Sequence, residues 1–556
     1  RLSITPNNIL TSAFAYTLSR FTNTDNTYFV FTNHGRDLEG LDTSLGMYVK
    51  TIPVILNTSN QLIDTYLKES SKHILDTMKH SIYPFRLLAS KYHLNQNVGF
   101  EYNSNLNNIS GFNKCIDYYE KDNEKNASHV THIMGIINDY QNGYIFRVDH
   151  SSKYSKETII RFLKTYQKVI EGLLTKDNLK DINYTLEEDI KVIDKINHTE
   201  TPLKYHDILE AFNDSLKKYP NNTLVSYLDT KYTYKEGTKW INNLTNKLNN
   251  VPKGSNIAIL VHRSHYYLLT ALSVLSYGSA YVPIDDTYPD ERVKFMLKDS
   301  NAKAILVTNE TIKRVKKLTN IPVINVSDIT SSGTLKPLKI NSKEDNTAVI
   351  LYTSGTTGIP KGSLITRKAI LNLAEWYVKD TKLTVKDVYS MYVSYVFDMH
   401  TLGFYTPLIV GASLDIVPSE ARLDLNKVNE HFNKVHGTHT YMTAQVGKLY
   451  VEGKYKTPIK LICFGGMKLG ELHAPDSIGA FESYGPTENL AITTSIFANK
   501  RIHHSSIGNF VNNVKGYILD KEHRLVPFGA MGELYLSGYQ LAKGYLNRDK
   551  ENKEAF

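Results

Sequence analysis

The chain has 556 residues, 41% of them hydrophobic and 22% charged, with a formal net charge of +9. That length exceeds what one hydrophobic core supports, so two to four globular domains are expected. Its apolar runs are strand-sized rather than bilayer-sized, no signal peptide opens it, and two cysteines cannot build a disulfide framework, so a reducing cytoplasm is the expected compartment. The excess charge is lysine scattered along helix-like stretches, as at Lys294–Lys298 and Lys313–Lys317, with no Arg-rich arm interleaved with aromatics. Neither a nucleic acid nor a membrane is expected as a partner. The first residue is not Met, which points to an internal piece of a longer protein.

Residues 1–178 alternate strand-like and helix-like runs. Tyr28–Thr32 reads as a strand, and Lys156–Leu174 carries Ile159, Ile160, Phe162, Leu163, Ile170 and Leu173 at helical spacing. The polar segment 179–204, with Pro202 near its end, reads as a linker. From 205 to 556 strand–helix units repeat. Asn256–Val261 leads into a helix through Ser276, and Ala302–Val307 into one near Glu310. Ala348–Tyr352 runs into a Gly-rich loop and then a helix from about Arg367. This alternation predicts an α/β fold with a mostly parallel sheet covered by helices on both faces.

The Gly-rich loop is Thr353, Ser354, Gly355, Thr356, Thr357, Gly358, Ile359, Pro360, Lys361 and Gly362. Glycines let backbone N–H groups approach a phosphate, hydroxyls add donors, and Lys361 adds charge. The Gly-x4-Gly-Lys-Ser/Thr spacing of a Walker A loop is absent.

This loop resembles the phosphate-binding signature of adenylate-forming enzymes, and five further motifs of that family occur in order around it. They are Tyr232–Glu236, Leu275–Asp285, Phe397-Asp398, Tyr484-Gly485-Pro486-Thr487-Glu488, and Gly532–Gly538 followed by Leu541–Leu546. Upstream, His34-Gly35-Arg36 with Gly46–Pro53, then His80–Phe85, are similar to late motifs of peptide-synthetase condensation domains. The chain is thus identified as a piece of a nonribosomal peptide synthetase. Residues 1–178 resemble the carboxy-terminal lobe of a condensation-type (chloramphenicol-acetyltransferase-like) domain. Residues 205–556 resemble the large adenylation subdomain, expected to have layered α/β sheets and a distorted β-barrel.

The resemblance implies attack of an amino-acid carboxylate on the α-phosphate of ATP, giving aminoacyl-AMP and pyrophosphate. Carrier domains of the same synthetase would be partners, their phosphopantetheine lying outside this chain. Thr353 to Lys361 would hold the β- and γ-phosphates, Thr487 the α-phosphate, and Glu488 a Mg²⁺ ion, a hard cation suited to carboxylate. Tyr484, next to Gly485, would pack against adenine, with Gly465 and Gly466 as the other wall. Asp398 would pair with the substrate's α-ammonium, because a carboxylate in an apolar pocket needs a cation. The side-chain pocket would be Met399, Leu402, Thr440, Ile462, Phe464, Ser483, Ala491 and Ile492, which implies a small or medium uncharged amino acid.

Three departures stand out. The chain stops at Phe556 soon after the sixth motif, before the family's mobile small subdomain and its lysine, so slow adenylation is expected. His503-His504 lacks the following Asp-Gly of a condensation motif and reads as incidental. His400 stands where a small residue is usual, outside the proposed pocket, and no role is attached to it.

Overall fold

Aromatic residues spaced for one face of a helix and one face of a sheet meet at Phe14, in the helix Pro6–Thr22. Its ring packs against Phe100 at 4.8 Å, Phe29 at 5.6 Å and Phe162 at 5.7 Å. The computed structural model describes residues 4–36, 40, 43–103, 132–140, 143–353, 358–468, 470, 472, 474–497 and 506–556. Contacts divide the chain into two units, Arg1–Lys195 with Tyr517–Tyr535, and Ile196–Gly516 with Leu536–Phe556. No helix among the described residues is long and apolar enough to cross a membrane.

The first unit holds a five-stranded sheet in the order Lys50–Asn57, Asn26–Asn33, Val98–Asn103, Ile133–Tyr140, Gly143–His150. The outer pairs are antiparallel and the inner ones parallel. The segment expected as a linker is largely ordered within this unit. It forms a turn at Leu179–Asp181 and a helix at Glu187–Ile196. Leu179, Ile182 and Tyr184 enter the core around Phe14, and the fully buried Asp189 pairs with Arg161 Nε at 2.8 Å. Its polar composition hid this buried stripe. The Tyr517–Tyr535 segment also belongs here, where Asp520 accepts from the Tyr184 hydroxyl at 2.8 Å and pairs with Arg20 at 3.3 Å.

The second unit contains two large sheets. One runs Val323–Asn325, Ala304–Val307, Asn256–Leu260, Ala280–Pro283, Thr347–Thr353, Lys361–Thr366. The other runs Asn509–Phe510, Thr494–Phe497, Gly479–Tyr484, Leu461–Gly465, His439–Thr443, Val388–Met391, Ser413–Ile416, Thr223–Tyr227, Thr230–Thr233. Central pairs are parallel and the terminal ones of the larger sheet antiparallel, as near-continuous apolar runs such as Ala304–Val307 require. The helix expected from about Arg367 is there, but a strand not expected from the sequence, Lys361–Thr366, precedes it. Thr353 pairs with Lys361 across an antiparallel hairpin, and the helix begins at Arg367 after a further strand. No closed barrel is among the sheets of the described residues.

Among the described residues of this unit, burial pushes His265, His400 and His439 down to about 4, so each is neutral when folded. In the unfolded chain each binds a proton near pH 6.5. Their contribution to stability is therefore complete above pH 6.5 and is lost as pH falls toward 4, by up to roughly 3 kcal/mol each. Denaturant midpoints measured from pH 7 to pH 4 should fall steeply. A midpoint that holds constant over this window would contradict the buried neutral state.

Candidate active site

Asp398 and Thr487 follow the carboxyl ends of the parallel strands Val388–Met391 and Gly479–Tyr484, and Gly465 is the last residue of the parallel strand Leu461–Gly465 between them in the sequence. Ligands of open α/β sheets bind at such an edge, where loops leave the strands and backbone groups are unspent.

The stretch leading to Asp398 is tied down residue by residue. Buried Arg263 donates Nη1 to Val393 O at 2.8 Å, Nη2 to Tyr392 O at 3.1 Å, and Nε to Val417 O at 2.7 Å, with Met391 O also in reach. Burial holds its guanidinium down at about 10. Ser394 donates to Asp285 at 3.0 Å, and the Tyr395 hydroxyl to Val261 O at 2.7 Å. Asp398 itself is partly buried. Its Oδ2 accepts from the Thr487 hydroxyl at 2.6 Å, and its Oδ1 from the Met399 N–H at 2.8 Å. Burial raises its pKa, opposed by these two hydrogen bonds and reinforced by the Glu488 charge. Among the described residues no cation pairs with it.

Thr487 and Glu488 lie in the short turn Thr487–Asn489, beside the strand Lys361–Thr366. Glu488 Oε1 accepts from the Tyr545 hydroxyl at 2.5 Å, while Lys361 Nζ lies over the Tyr545 ring, 5.3 Å from its centre. The sixth motif is sewn to the same place. Ala542 N–H donates to Glu488 O at 2.7 Å, Lys543 N–H to Leu364 O at 3.0 Å, and Leu546 N–H to Gly362 O at 2.8 Å. Gln540, fully buried, donates to Asn489 O and Ile492 O at 3.2 and 2.7 Å. Those bonds brace Leu490 (φ 42°) and Ala491 (φ 65°), two consecutive left-handed residues that are not glycine.

The glycines next to Tyr484 are required by close approach. A Cβ on Gly485 would stand 2.5 Å from Ala491 O, and one on Gly465 would stand 2.6 Å from the Tyr441 hydroxyl. Tyr484 is 44% exposed, so its ring is open to a flat partner. Gly466 (φ 84°) and Gly358 (φ 81°) take the left-handed backbone. Ser354, Gly355, Thr356 and Thr357 lie outside the described residues, as do His503-His504 and Cys115.

The expected pocket residues Met399, Leu402, Thr440, Ile462, Phe464, Ser483, Ala491 and Ile492 are all buried. Parallel register divides them. Ile462 stands between Thr440 and Ala480, and Phe464 between Met442 and Glu482. Ser483 falls on the opposite face, its hydroxyl donating to Phe464 O at 2.8 Å. Thr440 lies three residues before the carboxyl end of its strand and gives its hydroxyl to Ser390 O at 2.7 Å, so Met442 is nearer the edge. Sequence reading missed Arg263, Tyr441, Gln540 and Tyr545 as site residues. Tyr545 and Gln540 lay in or beside a family motif without a partner to give them meaning, and Arg263 was a lone Arg after a strand.

The family model described as AMP-binding enzyme matches residues 212–546, and the condensation domain model matches residues 2–191. Bacitracin synthase 1 of Bacillus licheniformis is 28% identical over 99% of this chain, and gramicidin S synthase 2 of Aneurinibacillus migulanus is 25% identical over 99% of it. The chain spans only 11% and 13% of the lengths of those two relatives. Its fold is similar to that of the nonribosomal peptide synthetase FmoA3 in its α-methyl-L-serine-AMP bound form. The TM-score is 0.84 at 18% identity, covering 99% of this chain and 65% of that one. The Klebsiella oxytoca NpsA N-terminal subdomain, in complex with 3-hydroxybenzoyl-AMSN, matches 64% of this chain and 92% of its own with TM-score 0.54 and 21% identity. The chain belongs to the AMP-binding enzyme family, joined behind a condensation domain as part of a nonribosomal peptide synthetase.

Proposed function

We propose that the second unit activates an α-amino acid with ATP and Mg²⁺, forming aminoacyl-AMP with release of pyrophosphate, for loading onto carrier-domain phosphopantetheine and peptide-bond formation. The observation that carries this reading is the Asp398 carboxylate, partly buried at the strand edge, held by Thr487 and Met399, and unpaired with any cation among the described residues. A carboxylate so placed is stabilised by a ligand that brings an ammonium group. An aryl or fatty acid brings none.

The donor set fits Mg²⁺. Among the described residues no group of three or more His, Cys, Asp or Glu gathers, and Mg²⁺ is ordinarily held by one or two carboxylates with substrate phosphates and water. Glu488 is the carboxylate in place. A bound Mg²⁺ would offset the charge that builds on phosphoryl oxygens. Lys361 and the loop from Thr353 would hold the outer phosphates, and Thr487 the α-phosphate while it also fixes Asp398. Tyr545 orients Glu488 through its hydroxyl and stacks beneath Lys361, joining the metal carboxylate to the phosphate-loop cation. Tyr484, with Gly465 and Gly466, offers adenine a ring face. The apolar lining of Met399, Leu402, Ile462, Phe464, Ala491 and Ile492 favours an uncharged side chain.

Amino-acid-dependent ATP–pyrophosphate exchange tests the reading. Asp398→Ala should lower kcat/KM for the preferred amino acid by about 2–4 kcal/mol, roughly 30- to 900-fold. Exchange driven instead by aryl or fatty acids, and indifferent to Asp398→Ala, would overturn the amino-acid assignment. Tyr545→Phe should raise the Mg²⁺ concentration for half-maximal exchange roughly tenfold without altering the amino-acid ranking. An unchanged Mg²⁺ requirement would remove Tyr545 from this role.

A further inference from the structure

His400 is fully buried one turn below the site, and every hydrogen bond it makes has a fixed polarity. Its Nδ1 lies 2.7 Å from Phe397 O, and its own backbone N–H donates to the same oxygen at 3.0 Å. A carbonyl cannot donate, so Nδ1 carries the proton and Nε2 is the acceptor of a neutral ring. The Tyr281 hydroxyl, 2.8 Å from Nε2, must then donate. Its oxygen in turn accepts from the Tyr405 hydroxyl at 2.9 Å. Tyr281 and Tyr405 are fully buried as well, so no water competes for these protons.

The relay ends on the peptide immediately before Asp398. The next carbonyl, that of Asp398, is held by the Thr401 N–H at 3.0 Å and the Thr401 hydroxyl at 2.7 Å. The two peptides that carry the carboxylate are thus tied from below by His400 and Thr401, while Thr487 and Met399 tie it from above. An apolar side chain at 400 would leave the Tyr281 hydroxyl without its acceptor and Phe397 O with one donor fewer, both in a buried setting.

We propose that His400 is a positioning residue for Asp398: the Tyr405–Tyr281–His400 relay fixes the Phe397–Asp398 peptide so that the carboxylate faces the ammonium of the substrate. This rests on the reading of Asp398 as the ammonium partner. It makes a polar residue at 400 part of amino-acid recognition although it does not touch the amino acid.

The test compares two aminoacyl-sulfamoyl-adenosine probes by calorimetry, one with the α-ammonium and one with hydrogen in its place. The unaltered chain should bind the ammonium probe more tightly. His400→Leu and Tyr281→Phe should each reduce that ratio about tenfold while binding of AMP by the folded variants stays close to that of the unaltered chain. His400→Asn, which keeps a donor toward Phe397 O, should retain more of the ratio than His400→Leu. Tyr281→Phe serves where His400→Leu fails to fold. If the unaltered chain discriminates and both variants discriminate equally well, the relay has no positioning role. If the unaltered chain does not discriminate at all, the reading of Asp398 fails and the proposal falls with it.

Discussion

A carboxylate held out of full solvent without a counter-charge is the constraint around which the second unit is arranged. Asp398 is more costly to keep ionised here than in water, as its raised pKa records, and Thr487 and the Met399 N–H offset only part of that cost. Such a group swings toward water unless its backbone is fixed. The structure fixes it with Arg263 on the carbonyls of residues 391–393, Ser394 on Asp285, Tyr395 on Val261 O, and His400 on Phe397 O. The ties come from the segments that follow Asn256–Leu260 and Ala280–Pro283 and from the start of the helix His400–Val410, so the site depends on more than one loop.

Thr487 is where the proposed amino-acid side and the proposed phosphate side of the site touch. Its hydroxyl is spent on Asp398, and its neighbour Glu488 is held by Tyr545, whose ring lies under Lys361. The left-handed pair Leu490 and Ala491 ends this turn sharply, and Gln540 supplies the two donors that brace it. Gly485 is needed because its Cβ would strike the Ala491 carbonyl.

Much of this was legible in the sequence because the motifs are local. The Gly-rich loop, Phe397-Asp398 and Tyr484–Glu488 are contiguous strings whose resemblance to the motifs of a known family carried the family, and the alternation of strand-like and helix-like runs carried the α/β class. What was not legible depends on register and on distant partners. Ser483 and Phe464 fall on opposite faces because neighbouring parallel strands align Phe464 with Glu482, which no single-strand pattern reveals. Thr440 was placed from the sequence near the pocket, yet it lies deeper in its strand than Met442. The 179–204 segment looked like a linker because Leu179, Ile182 and Tyr184 are too widely interrupted by polar residues to show a period. His400 was set aside because its partners, Tyr281 and Tyr405, lie far from it in sequence or a turn away on the same helix, and only the fold brings all three together.

The most direct measurement is the position of the ligand's ammonium nitrogen in a crystal structure of this chain with an aminoacyl-sulfamoyl-adenosine. The account predicts that this nitrogen stands roughly 3 Å from an Asp398 carboxylate oxygen, with Thr487 between Asp398 and the phosphate mimic. An ammonium directed elsewhere, with Asp398 still bonded only to Thr487 and Met399, would contradict it.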